Sequence, residues 1–354
     1  MVTIDGSHGE GGGQVLRTSL ALSALTAQPV EVTSIRAGRP KPGLAAQHLT
    51  GVRAAAAACG AEVEGDALGS QRLVFRPGPP RAGHYTFDVC DIRPSAGSVN
   101  LILQTILPIL ALAEGPSHVT LKGGTHVPMA PCFEYVRHVF LPAVSRFGVQ
   151  ADVTCQAAGY YPRGGGHEEL RVMGCGGLGA ARFEGWAGPP EVLLISRTTK
   201  LPEHVRQRQL AALRQALAVR AAAEVCEDAP GPAPGTVAFA AARALDGGSV
   251  LACGGASALG ERGRKAEDVG REAGNSLRAT LDSKAAVDLH LADQLLLYAA
   301  IAQGESSFAV QEWTEHARTN VWVVEQFMGS VFEVASHADG TALVEVAGQG
   351  LGRR

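Results

Sequence analysis

The segment Glu312-Trp-Thr-Glu-His316-Ala-Arg-Thr319-Asn320 places a histidine where a strand-like run gives way to a helix-like one. An imidazole with a pKa near 6.5 is largely neutral at cellular pH. It can attack a phosphorus atom if a partner fixes its tautomer. A lone histidine at a helix start is more often a polar cap, so the pattern by itself does not name a nucleophile. A second segment, Asp5-Gly-Ser-His-Gly-Glu10-Gly-Gly-Gly-Gln-Val-Leu-Arg17, reads as a strand end and a glycine-rich turn opening a helix. Glycines let backbone N–H groups approach a phosphate, and a helix N-terminus adds partial positive charge. The turn lacks the Gly-Lys-Ser/Thr of a Walker loop and the βαβ context of a dinucleotide site.

A third segment, Arg36-Ala-Gly-Arg39-Pro-Lys41-Pro-Gly-Leu-Ala-Ala-Gln47-His48, sets three cations and a histidine on a loop stiffened by two prolines. Arginine forks suit bidentate phosphate contacts, and a rigid loop lowers the ordering cost of making them. Further glycine-rich turns, Gly123-Gly-Thr125 and Tyr160-Tyr-Pro-Arg-Gly-Gly-Gly166, and Pro131 can line a cleft, although such turns are more often structural.

Elements that would carry these residues emerge from a repeat. Three stretches share the order helix, strand, loop, helix, strand, beginning near residues 11, 98 and 285. Helices follow from 3.6-period apolar spacing, as in Leu101, Thr105, Ile106, Ile109 and Leu110, and strands from β-branched alternation after Gly or Pro. Aligning Pro29 with Pro116 gives an offset of 87 residues, and Gly115 with Gly304 an offset of 189. The surplus of about a hundred residues implies an insertion between the second and third stretches. The expected organisation is therefore a main domain of residues 1–179 and 285–354 with a smaller domain, 180–284, inserted. Within the insertion EVLLISRT, TVAFAAARA and SVLACGGAS read as strands and HVRQRQLAALRQALA and AEDVGREAGNSLRATL as helices, suggesting an α+β, thioredoxin-like layer. The offsets put Arg17, Gln104 and Asp293 at equivalent positions of three helices. Such residues can converge on one cleft or simply be exposed polar positions.

With 354 residues, 46% of them hydrophobic, the chain can bury a large core. No apolar run approaches the roughly 20 residues that cross a bilayer, and the N-terminus lacks the order of a signal peptide, so a soluble cytoplasmic protein is expected. The seven cysteines are scattered without a Cys-x-x-Cys pair and read as reduced packing residues. A net charge of −3 leaves nucleic-acid binding to a local basic cluster. The helix bearing Arg206, Gln207, Arg208 and Arg214 reads as a solvated face.

Taken in order, GEGGGQVLR, RAGRPKPGL with QHLT, SAGS at 95–98 followed by LQT, YYPRGGG, LADQL at 291–295 and His316 with Thr319-Asn320 resemble the motifs of the RNA 3'-terminal phosphate cyclase family along nearly the whole chain. The resemblance implies an α/β (α+β) fold of three βαβαββ-type repeats carrying an inserted smaller domain. It implies an enzyme that converts an RNA 3'-terminal phosphate to a 2',3'-cyclic phosphodiester with ATP, through covalent histidine-AMP and RNA-adenylate intermediates. His316 would be the nucleophile. The nucleotide would lie against Gln104, Pro131, His290, Leu291, Ala292, Asp293 and Gln294, with Asp293 reading the nucleoside. Glu10 would help hold Mg2+ or Mn2+, and Arg17, Arg36, Arg39, Gln47 and His48 would grip the RNA phosphate. A homodimer and no membrane partner are further expectations. Two positions depart from the family pattern: His290 stands where an aromatic ring is common, and Ala158 where a basic residue often precedes GYYP. Non-catalytic relatives acting in ribosome assembly share the resemblance, but retention of His316 argues for chemistry. An enolpyruvyl-type transferase would need more repeats in two equal domains.

Overall fold

Strands and helices alternate from the first residues onward in the computed structural model, which describes residues 1–186 and 188–352. The chain opens with β1 (Val2–Asp5), α1 (Gly13–Thr26), β2 (Val30–Thr33), α2 (Ala46–Cys59), β3 (Glu62–Glu64) and β4 (Leu73–Arg76). Their sheet runs β1-β2-β4-β3, with β1 and β2 parallel and the other pairs antiparallel. The next stretch follows the same plan with β5 (His84–Asp88), α3 (Val99–Ala111) and β6 (Pro116–Gly123). Its second helix passes from α4 (Phe133–Tyr135) through a π turn, Val136–Phe140, into α5 (Leu141–Ser145), and β7 (Gln150–Ala157) and β8 (Gly166–Met173) close a sheet ordered β5-β6-β8-β7.

β9 (Arg182–Phe183) begins a third sheet, but the chain leaves it at once. It builds β10 (Glu191–Thr199), α6 (Glu203–Leu217), β11 (Ala223–Asp228), β12 (Gly235–Asp246), β13 (Ser249–Leu259) and α7 (Ala266–Ser283), a layer whose sheet is ordered β11-β10-β12-β13. The chain then returns through α8 (Leu289–Ile301), β14 (Gln303–Val310), α9 (Glu315–Met328), β15 (Phe332–Ser336) and β16 (Ala342–Gln349). The third sheet is thereby completed in the order β9-β14-β16-β15, again with one parallel pair, β9 and β14.

Burial explains the placing of the inserted layer. Successive residues of a strand face opposite sides of its sheet. Along β12, Ala238, Ala240 and Ala242 join Leu210, Leu213, Leu217, Val269, Ala273 and Leu277 in a core under α6 and α7. The alternate residues Val237, Phe239 and Ala241 join the main core of the molecule. Both faces of β12 are thus buried, which is why it is apolar without a break from Val237 to Ala242. β11 escaped the sequence reading because five of its six residues are exposed and carry no apolar alternation. It is an edge strand held by parallel pairing to β10.

Helix ends are set locally. Ser98, Asp288 and Thr314 cap α3, α8 and α9 with side-chain oxygens that accept from backbone N–H groups. Asp288 also accepts from Tyr135 Oη, at 2.9 Å, and from the amide of Gly255 on β13, at 2.9 Å, so one carboxylate fastens α8, α4 and the inserted layer together. No helix is long and apolar enough to cross a membrane among the described residues.

Candidate active site

His316 is the second residue of α9, and Asp293 lies one turn into α8. Nδ1 of His316 meets Oδ2 of Asp293. A carboxylate on Nδ1 keeps the ring proton there and leaves Nε2 as the nitrogen with a lone pair. Nε2 sits 3.4 Å from Oε2 of Glu10, and the side chain is 37% exposed, enough to be reached from solvent. The hydrogen bond to Asp293 raises the imidazole pKa above its usual value; burial opposes this, while the charges of Asp293 and Glu10 add to it.

A buried frame holds that pair. Asn320 Nδ2 donates to the Asp293 carbonyl at 2.6 Å, and Asn320 Oδ1 accepts from Thr18 Oγ1 of α1 at 2.7 Å. One amide therefore couples α9, α8 and α1. The glycine-rich turn is clamped to α9 as well: His8 stacks on Trp322 with centroids 3.8 Å apart, and a side chain at Gly9 would collide with Thr319.

The start of α1 has Gly12 as its N-cap and no side-chain cap among the described residues, an arrangement whose first N–H groups can meet an anion. Around it stand the cations. Arg39 lies 4.0 Å from Glu10, and a Cβ at Gly12 would come within 3.1 Å of the Arg39 guanidinium. A Cβ at Gly13 would come within 2.6 Å of His48 Nε2 and 3.1 Å of Arg17 Nη1, so only glycine lets α1 approach both. Arg17 is half-buried; burial pulls its pKa down to about 10, partly offset by Asp293, and it stays charged at neutral pH. His48 is pushed down to about 3 by burial, and by the charges of Arg36, Arg17 and Arg39. It is therefore neutral, and its buried Nδ1 has no hydrogen-bond partner among the described residues. Three like charges beside a neutral imidazole form a surrounding that an anion would relieve.

The other members of the basic loop are partly committed. Arg36, at φ +54°, donates from Nη1 to the carbonyls of Lys41 and Gly43 at 3.0 and 2.7 Å, closing its own loop. Gln47 Oε1 accepts from the Ser98 amide at 2.9 Å, joining α2 to α3.

Behind the mouth, a cavity of about 30 Å3 lies between α1, α3, α8 and α9. Arg17, Gln104 and Asp293 all line it, as do Gln294 and Asn320. Gln104 Nε2 and Gln294 Oε1 are buried there without partners among the described residues. The space suits a water-sized group rather than a base. Four expected nucleotide contacts are not among its walls. Leu291 and Ala292 are fully buried, and their amides bond to Asp288, at Oδ1 and the carbonyl oxygen respectively. His290 is exposed at the start of α8. Pro131 is tied to α3 through its carbonyl, which accepts from Asn100 Nδ2 at 3.0 Å. Ala158 is 1% exposed, with its amide on the Pro230 carbonyl, so that position packs against the inserted layer.

Sequence reasoning missed Thr18 and the pairing of Asp293 with His316, for which no local signal exists. It also missed a second buried network. His126, next to the Gly-Gly-Thr turn, bonds Thr125 through Nδ1 and Glu134 through Nε2, at 2.6 and 2.8 Å, and Glu134 pairs with Arg197 of β10 at 2.5 Å. Burial opposes ionisation of Glu134, but His126 and Arg197 outweigh it and hold the carboxyl at about 2. No three His, Cys, Asp or Glu side chains are grouped to hold a metal ion among the described residues.

The sequence profile described as RNA 3'-terminal phosphate cyclase matches residues 8–334. A curated relative of that name from Pyrobaculum neutrophilum is 44% identical over 354 residues, covering 99% of both chains. One from Methylococcus capsulatus is 46% identical over 360 residues, covering 99% of this chain and 98% of its own. Another, from Nostoc punctiforme, is 48% identical over 335 residues, covering 92% and 94% respectively.

Proposed function

The chain belongs to the RNA 3'-terminal phosphate cyclase family, and on that premise we propose that it converts an RNA 3'-terminal phosphate to a 2',3'-cyclic phosphodiester with ATP, through AMP carried on His316. The observation that carries this reading is the pairing of His316 Nδ1 with Asp293, which leaves Nε2 at the mouth of a basic site.

In the first step Nε2 attacks the α-phosphorus of ATP, a P–N bond forms and pyrophosphate leaves. The ring becomes cationic, and Asp293 stabilises it through the Nδ1 proton it already holds. In the second step an oxygen of the RNA 3'-phosphate attacks that phosphorus, and His316 departs as the neutral imidazole. In the third, the adjacent 2'-OH attacks the terminal phosphate, losing its proton to solvent, and AMP leaves. This last nucleophile is already in place, so it needs little beyond positioning.

Arg17, Arg39 and the free start of α1 are disposed to neutralise the RNA phosphate, and His48 Nδ1 can give or take one hydrogen bond. Gln47 and Arg36 act chiefly by holding the surrounding loops. Gln104 Nε2 and Gln294 Oε1, buried without partners among the described residues, would meet the nucleotide only where the cavity opens beyond its water-sized space, while the exposed His290 can stack on a base. Leu291 and Ala292 can contribute only packing. Glu10, a carboxylate beside His316 Nε2, would hold a Mg2+ or Mn2+ ion as a single protein ligand, which suits an ion that takes its remaining ligands from elsewhere. Such an ion would supply charge neutralisation. Cys59, Cys90, Cys132, Cys155, Cys226 and Cys253 are free thiols, which supports the reducing cytoplasm as the compartment.

The test is to incubate the protein with ATP labelled at the α-phosphate and a divalent metal, denature it, and follow the label. Acid-labile label on the wild-type chain and none on His316→Ala is expected. Unlabelled wild type that is folded and binds ATP would overturn the covalent step.

A further inference from the structure

The hairpin turn between β7 and β8 plays no part in the site above. Tyr160 mounts it from below: the ring is 4% exposed and stacks on His126 with centroids 4.9 Å apart. Gly164, at φ +64°, presses the turn onto the next loop, where a Cβ would lie 2.9 Å from Ala96 Cα and 3.1 Å from the Ser95 carbonyl. That loop rests on the phosphate end of the site. A Cβ at Gly97 would lie 2.7 Å from Gln47 Cβ, and the Ser98 amide donates to Gln47 Oε1 beside His48.

On the outside of this rigid mount Tyr161 is 67% exposed. Arg163 on the same turn and Arg93 on the adjoining loop are also exposed, and neither forms an ion pair among the described residues. Some exposed arginines are matched, as Arg208 is by Glu267 and Arg214 by Glu224, and others such as Arg220 and Arg262 are not, so it is the grouping of Arg163 and Arg93 around an exposed ring that sets this face apart. An unpaired nucleobase stacks on an exposed aromatic ring, and arginine forks meet its flanking phosphodiesters. Because the turn is held from below, little ordering opposes such contacts. Asp91, exposed on the Arg93 loop, keeps the patch from being uniformly positive, so stacking as well as charge must recognise the ligand.

We propose that Tyr161 and Arg163, with Arg93, form a subsite for the single-stranded RNA upstream of the terminal phosphate, one base stacking on Tyr161. This rests on the reading that an RNA 3'-phosphate is the acceptor. It narrows the substrate class to 3' ends with unpaired nucleotides before the phosphate, since a base held in a duplex cannot leave its stack to reach the ring.

The experiment measures fluorescence-anisotropy binding of a 3'-phosphorylated single-stranded decamer and of a 3'-phosphorylated dinucleotide. Proteins compared are wild type, Tyr161→Ala, Tyr161→Phe and Arg163→Ala, with self-adenylylation from ATP and melting temperature measured on each. Tyr161→Ala is expected to weaken the decamer roughly fivefold or more, while Tyr161→Phe and the dinucleotide stay near wild type. Arg163→Ala should flatten the salt dependence of decamer binding by about 0.7 in log–log slope. Decamer binding unchanged in Tyr161→Ala and Arg163→Ala, or equal weakening of dinucleotide and decamer, would overturn the subsite. Variants that weaken the decamer alone while wild type takes no label from ATP would support the subsite and sink the adenylylation chemistry instead.

Discussion

Asp293 and His316 stand on consecutive helices, 23 residues apart in the chain, with the carboxylate of one on Nδ1 of the other. The aspartate expected to read the nucleoside thus serves the imidazole directly.

Asp293→Asn keeps the shape of that contact and removes its charge. Transfer of AMP to the protein in a single turnover is expected to fall by about a hundredfold or more, because the imidazolium formed on attack loses its counter-charge. Urea unfolding should change little. Wild-type transfer in this variant would mean that another group fixes the tautomer.

Gly13→Ala separates fold from site. Gly13 opens α1, where alanine's interior helix advantage over glycine of about 1 kcal/mol applies only weakly, so melting should change little. The added methyl would press on His48 and Arg17, and cyclisation is expected to drop about tenfold or more, since small displacements of positioning groups are costly to rate. A lower melting temperature with normal activity would mean that the backbone yields rather than the site.

Thr18→Val leaves Asn320 Oδ1 buried without its donor. Stability should fall by about 1–3 kcal/mol, read from denaturant midpoints. AMP transfer should slow as well, because Asn320 also holds the backbone of Asp293. Loss of stability alone would restrict Asn320 to a structural part.

Glu134 makes the fold acid-sensitive. Its carboxyl is held at about 2 in the folded protein against an ordinary value of 4.5. A depressed folded pKa gives stability that is complete above pH 4.5 and is lost as pH falls from there through 2, on the order of 3 kcal/mol in all. Glu134→Gln should destabilise at pH 7, because a mostly buried Arg197 would be left with Glu227 as its one charged partner and His126 would lose its carboxylate, and should flatten the loss between pH 5 and 3. Parallel pH profiles for variant and wild type would assign the acid limb to other carboxylates.

Reading the chain alone goes furthest where the cause is local. α1, α2, α3, α8 and α9 follow from apolar spacing that their cores require, and the glycine turn and the Arg36–His48 loop declare themselves by residue type within a dozen positions. Equivalence of Arg17, Gln104 and Asp293 also came from spacing, through the offsets between stretches. β11 was hidden because an exposed edge strand needs no apolar alternation. Arg36 shows the limit of residue type: the same guanidinium that suits a phosphate here bonds two carbonyls of its own loop.

By itself the sequence determined which elements form and which chemical groups are at hand, because periodicity, glycine and charge act over a few residues. Tertiary structure alone decided how those groups pair: Asp293 with His316, Asn320 with Thr18, and His126 through Glu134 to Arg197. Each pairing depends on how helices and sheets pack across tens or hundreds of residues. A side chain's neighbours at that range are fixed by shape and burial, which no local pattern encodes.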